Sequence, residues 1–107
     1  MLRYPMYDKT VTVYRREDSQ LVRRVLEGCF YRYEDTADEE RFVRKFLLIW
    51  PGAEDIRPGD RVFDGVGPEK IVWEEFLPIN VPGLSEVAYA APWHFAGEID
   101  HWEAGRK

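Results

Sequence analysis

Lys9-Thr10-Val11-Thr12-Val13-Tyr14-Arg15 decides the fold class of this chain. Val11 and Val13 share one parity; Thr10, Thr12 and Tyr14 share the other. A period of two in β-branched residues belongs to a strand, whose successive side chains leave on opposite faces. Val11 and Val13 are expected in the core, and Thr10, Thr12 and Tyr14 point to the other face. Arg15-Arg16-Glu17-Asp18-Ser19 then reads as a polar turn. Residues 20–34 follow as one long bent strand. Val22, Val25 and Leu26 would also suit a helix. Gly28, followed by Cys29, Phe30, Tyr31 and Tyr33, favours a strand with a bulge or bend at the glycine.

Residues 34–40 hold Glu34, Asp35, Asp38, Glu39 and Glu40, a density of like charge that predicts an exposed, solvated loop. Residues 41–50 form the most apolar strand. Phe42, Phe46, Leu48 and Trp50 lie on one parity and Val43, Leu47 and Ile49 on the other, so its second half is expected to be buried on two sides. Pro51-Gly52 stops it. In Asp55-Ile56-Arg57-Pro58-Gly59-Asp60-Arg61-Val62, Pro58-Gly59 suits the centre of a type II turn. Ile56 plugs inward before that turn, and Val62 starts the next strand. Residues 69–77 fit either a short helix behind Pro68 or an irregular strand. Val87 and Tyr89 mark another strand. Residues 93–103 read as a terminal hairpin turning at Ala96-Gly97, with Trp93, Phe95, Ile99 and Trp102 supplying packing.

These elements predict one domain over residues 1–107. It is mainly β, a small antiparallel β-barrel or sandwich with at most one or two short helices between about residues 68 and 86. The expected core is Val11, Val13, Phe46, Leu48, Ile56, Val62, Val87 and Ile99. A chain of 107 residues can bury such a core without disulfides or zinc. Aromatic residues make up 15%, which fits pleated surfaces and buried interfaces alike. Cys29 is the only cysteine, which points to a reducing compartment, the cytoplasm by default. No apolar run reaches the ~20 residues a membrane span requires, and the first residues carry no secretory signal pattern.

The net charge is −5. Residues 1–50 carry a net +1 and residues 51–107 a net −6. An acidic chain lacks the cationic face that a sequence-specific nucleic-acid binder needs. A smaller basic cluster, Arg15, Arg16, Arg23 and Arg24, stands opposite in sign to Glu34, Asp35, Asp38, Glu39 and Glu40. In a ring of identical subunits one copy's acidic loop would face its neighbour's arginines, and these nine residues are the candidate interaction sites.

Catalytic patterns are sparse. His94 and His101 with Asp100 could approach one another in a hairpin, but no third nitrogen or sulfur ligand is near in sequence. Cys29 sits among aromatics, where cysteine behaves as a small hydrophobe. Ser19 and Ser85 lack a nucleophile-elbow setting. Gly65-Val66-Gly67 is not a phosphate loop. The expectation is a protein that is not an enzyme, with no cofactor and no metal.

Four features carry a resemblance. They are the opening Met6-Tyr7-Asp8-Lys9-Thr10-Val11-Thr12-Val13-Tyr14; Leu48-Ile49-Trp50-Pro51 followed by Ile56-Arg57-Pro58-Gly59-Asp60-Arg61-Val62; the glycine after it, Gly65; and the close Gly97-Glu98-Ile99-Asp100-His101-Trp102-Glu103-Ala104-Gly105. In order and spacing this set resembles the short head–tail connector proteins of tailed phages and prophages, of the head-completion, stopper or minor-capsid type. The resemblance covers most of the chain; residues 69–77 depart from it. It implies a virion structural subunit that packs with itself in a ring, meets portal or adaptor and tail proteins, and is assembled in the bacterial cytoplasm. DNA could pass through such a ring. A tail-terminator or minor capsid protein is the alternative within that class. A small bacterial β-barrel module for a ligand or peptide lies outside it and would show a deep aromatic pocket. A small enzyme would show His94, His101 and a carboxylate meeting in a cleft.

Overall fold

The computed structural model describes residues 7–37 and 42–106. Seven strands form it: β1 (Lys9–Glu17), β2 (Gln20–Ala37), β3 (Phe42–Trp50), β4 (Arg61–Asp64), β5 (Leu84–Glu86), β6 (Tyr89–Phe95) and β7 (Glu98–Arg106). All pair antiparallel in one sheet of order β5-β4-β1-β2-β3-β7-β6. The sheet curls into a half-barrel. Its two end strands, β5 and β6, are consecutive, joined through Val87 and Ala88 alone. Val87 N–H donates to the Asp60 carbonyl at 2.8 Å and Ala88 N–H to the Gly105 carbonyl at 2.8 Å, so the two ends of the sheet meet at this corner. Among the described residues there is no helix.

β2 is the long bent strand expected from the sequence, and it belongs to both halves of the sheet. Its first part pairs with β1 and its second with β3. Between them the register slips: Lys9 faces Cys29, whereas Val11 faces Leu26. Gly28 takes φ +74°, the left-handed conformation that a bulge asks of its extra residue. The bend lets one strand turn the corner of the curl.

Two boundaries differ from the sequence reading. The polar turn is only Asp18-Ser19, with φ 49° and 66°, the two-residue hairpin geometry that matches strand twist; Arg15, Arg16 and Glu17 are still in β1. Glu34 and Asp35 are not in a loop. They extend β2, facing Lys45 and Arg44 of β3 in register. Backbone pairing with β3 continues through both residues, so the ladder rather than the local charge density sets their conformation.

Inside the curl lies the main core, with Val11, Val13, Leu26, Cys29, Tyr31, Phe46, Leu48, Ile56, Val62, Val87 and Ala104. Each fully buried aliphatic side chain there contributes about 1.5–3 kcal/mol by leaving water. Seven of the eight expected core residues are in it; Ile99 is only half-buried. β1 is also buried on its second face, at Thr12 and Tyr14. Tyr14 packs with Phe76 and Leu84 in a second cluster, and the Tyr14 and Phe76 rings meet edge-on at 4.7 Å. Residues 65–83 fold back over this face. Thr12 Oγ1 donates to the Gly65 carbonyl at 2.7 Å and accepts the Gly67 N–H at 2.9 Å. The Tyr14 hydroxyl donates to the Pro68 carbonyl at 2.7 Å. Residues 69–77 are thus neither helix nor strand but turns, held where β1 needs a cover.

Candidate functional site

The turn at Pro58-Gly59 closes with the Asp60 N–H donating to the Arg57 carbonyl at 3.0 Å, and Gly59 has φ +91°, as a type II turn requires. It places the Asp60 carboxylate under the end of β1. Arg15 grips it with two prongs, Nε to Oδ1 at 2.8 Å and Nη2 to Oδ2 at 2.7 Å. The Arg57 N–H donates to Oδ2 at 2.9 Å. The hydrogen bonds that Arg15 donates to the Asp60 carboxylate outweigh burial and hold its guanidinium above its usual range.

The other three arginines of the basic cluster are engaged within the chain as well. Arg24 Nη2 donates to the Asp55 carbonyl at 2.7 Å and lies 3.9 Å from Asp60. Arg23 donates to the carbonyls of Gly67 at 2.6 Å and Pro68 at 3.2 Å, fastening the cover over β1. Arg16 pairs with Glu74 at 2.7 Å in an exposed bridge. Arg15, Arg16, Arg23 and Arg24 therefore do not form a free cationic face; they stitch residues 55–74 onto the β1–β2 hairpin. Of the acidic candidates, Glu34 is exposed on β2 and Asp35 extends the same strand, while Asp38, Glu39 and Glu40 lie outside the described residues.

Two further arginines, which the sequence reading did not single out, serve the same end. Arg61 lies over the Trp73 ring, 3.6 Å from its centroid, and donates to the carbonyls of Trp73 and, at 2.8 Å, Phe76. Arg44 reaches across the curl to the Leu84 carbonyl at 3.0 Å. Carbonyl acceptors leave no trace in side-chain pattern, so neither contact could be read from residue types.

Of the nucleophile residues weighed, Cys29 and Ser85 are closed off, and Ser19 stands exposed in the β1–β2 turn. Cys29 is fully buried, and burial pushes its thiol up to about 12, so it stays protonated at neutral pH. Ser85 is also fully buried and shares a hydrogen bond of 2.9 Å with the Tyr31 hydroxyl. His101 Nδ1 lies 2.8 Å from Asp100 Oδ2, and its ring stacks on Trp93 with centroids 6.0 Å apart. His94 is exposed on the neighbouring strand. No group of three or more His, Cys, Asp or Glu side chains among the described residues could hold a metal ion.

What the surface does offer is an apolar arm. The β6–β7 hairpin turns at Ala96-Gly97 as expected, and Trp102 packs against the main core, but Trp93 and Phe95 do not pack inward. Every residue from 91 to 98 is exposed, with Trp93 at 54% and Phe95 at 77%. β6 is an end strand of the sheet and carries Pro92, a residue tolerated at an edge because it has no N–H to donate. Beyond the hairpin base, Arg32, Tyr33, Lys45, Leu47 and Tyr89 line an open groove of about 420 Å³ on the β2–β3–β7 surface. The chain matches no family model, no curated protein and no solved structure.

Proposed function

We propose that this chain is a non-enzymatic structural subunit of a tailed-phage or prophage virion, a head–tail connector of the head-completion or stopper kind. The observation that carries the reading is the projecting β6–β7 hairpin, which holds Trp93 and Phe95 in water. Exposed aromatics at the tip of a two-stranded arm cost hydration free energy in a free monomer and repay it when a partner covers them. A curled sheet whose core is filled by its own side chains supplies a stiff wall, and the arm supplies contact. The resemblance of the opening strand, the Pro58-Gly59-Asp60 turn and the terminal Ile99-Asp100-His101-Trp102 segment gives the assembly its class.

In this reading the subunit packs with further copies of itself in a ring and meets portal or adaptor proteins on one side and tail proteins on the other. Asp38, Glu39 and Glu40 remain candidates for such contacts. The experiment is deletion of the gene from the genome that encodes it, followed by electron microscopy of induced lysates. The reading expects DNA-filled heads and free tails in place of joined particles, restored by the gene in trans. Normal numbers of joined, infectious particles would overturn it.

A further inference from the structure

Two aromatic rings of this chain are capped by arginine. The Arg61 guanidinium lies 3.6 Å from the Trp73 ring centroid and still donates to the Phe76 carbonyl at 2.8 Å. Arg44 lies 4.6 Å from the Tyr33 centroid and donates to the Leu84 carbonyl at 3.0 Å. A planar guanidinium does both at once, because its face stacks on a ring while its N–H groups point outward in the plane. Phe95 is 77% exposed, and among the described residues no cation caps it. It stands on the rim of an open hollow of about 320 Å³ between the chain that follows β3 and the β6–β7 turn, lined also by Pro51, Ile99, Glu98 and Asp100. Glu98 stands opposite Phe95 in the β6–β7 register. Asp100 holds His101 Nδ1 through Oδ2 at 2.8 Å, which leaves Oδ1 as an acceptor. The hollow has no cation in its lining, and the chain holds no lysine or arginine from Ile71 through Gly105.

We infer that this hollow receives an arginine side chain carried on a basic segment of a partner protein. The guanidinium stacks on Phe95 and donates to Glu98 and Asp100, while its apolar stem lies along Ile99 and Pro51. The ring supplies the apolar contact and the two carboxylates set the sign of the partner. A lysine ammonium, a strongly hydrated point charge, does not stack and donate in one plane, so arginine is preferred. The partner's class, a portal, adaptor or tail protein, rests on the assembly reading; the test does not.

Titration of the isotopically labelled full chain, followed by amide resonances, tests it with hexa-arginine, hexa-lysine and hexa-glutamate peptides as probes. Hexa-arginine is expected to shift the resonances of residues 95–100 with a Kd below about 1 mM at low salt, and to bind more weakly as salt rises. Hexa-lysine should bind several-fold more weakly and hexa-glutamate should leave those resonances in place. Phe95→Ser, and Glu98→Gln with Asp100→Asn, should each weaken hexa-arginine by about tenfold or more. The dispersion of their spectra should stay that of the wild type, since none of the three side chains lies in the core. Glu69→Gln with Glu75→Gln removes the same charge from exposed positions elsewhere and should leave binding unchanged. Shifts absent from residues 95–100, equal binding of hexa-lysine, or equal weakening by the Glu69 and Glu75 changes would each overturn the inference. So would self-association of the free chain that the Glu98 and Asp100 changes abolish, for the occupant would then be a second copy. Any of these leaves the virion reading standing, since that is tested on particles. Joined particles made without the gene would remove the virion reading and leave the preference of the hollow for arginine to be measured on its own.

Discussion

Arg15 and Asp60, 45 residues apart in sequence, form a buried two-pronged ion pair at 2.8 and 2.7 Å. The side chains are 11% and 2% exposed. The pair locks the Pro58-Gly59 turn to the end of β1 and so fixes where β4 begins. Removing one partner leaves the other charge buried and uncompensated. Asp60→Ala should therefore lower unfolding free energy by about 3–5 kcal/mol in urea titration. The double change Arg15→Met with Asp60→Leu should cost less than Asp60→Ala alone, because no stranded charge remains. A double change as costly as the two single changes summed would show that the pair is not coupled.

Stability should fall at alkaline pH. Cys29 rises from an ordinary 9.0, and Tyr31 from 10.0, each to about 12 and chiefly through burial. Both groups stay neutral in the folded chain while the unfolded chain ionises. Their contribution is fully present below pH ~9 and is lost as pH rises toward 12, by up to about 1.4 kcal/mol per pH unit for each group. Urea titrations from pH 8 to 11 check this, and Cys29→Ala should remove the part that begins near pH 9. In the native state at pH 8 a thiol reagent should not label Cys29 until the chain unfolds.

Gly67 lies against the Tyr14 ring, and a Cβ there would stand 2.2 Å from the hydroxyl oxygen. Gly67→Ala should force that hydroxyl off the Pro68 carbonyl and cost about 1–3 kcal/mol. Tyr14→Phe, which deletes the donor but keeps the packing, should cost about 0.5–1.5 kcal/mol. In the Tyr14→Phe background Gly67→Ala should be milder, which thermal unfolding of the four proteins would reveal.

Phe95→Ser should separate assembly from folding. Because Phe95 is 77% exposed, its loss should change stability by less than about 0.5 kcal/mol, as at other surface sites. It should nevertheless reduce joining of heads to tails when the variant replaces the native gene. Unimpaired joining would show that the exposed ring is ordinary surface.

The strands were legible because their causes are local. Alternation at Val11 and Val13, the break at Gly28 and the turns at Pro58-Gly59 and Ala96-Gly97 all act within a few residues, and each appears where the pattern puts it. What was not legible depends on partners far along the chain. The burial of Thr12 and Tyr14 could not be read from the alternation because nothing nearby shows that residues 65–83 return to cover them. Arg15, Arg16, Arg23 and Arg24 read as a free basic patch because their partners, Asp60, Glu74 and the carbonyls of Asp55, Gly67 and Pro68, lie 31–58 residues on. Glu34 and Asp35 read as loop because repulsion along one strand is visible in sequence while the ladder that pairs them with Lys45 and Arg44 of β3 is not. Trp93 and Phe95 read as packing residues because residue type does not tell a core aromatic from one held out for a partner.

Quantitative mass spectrometry of purified tailed particles, with antibody labelling of the chain in electron micrographs, tests the central claim most directly. The account predicts the chain in every intact particle, at a fixed multiple of the portal protein, with label confined to the junction between head and tail. Its absence from purified particles, or label spread over the head surface or the tail tube, would contradict a connector.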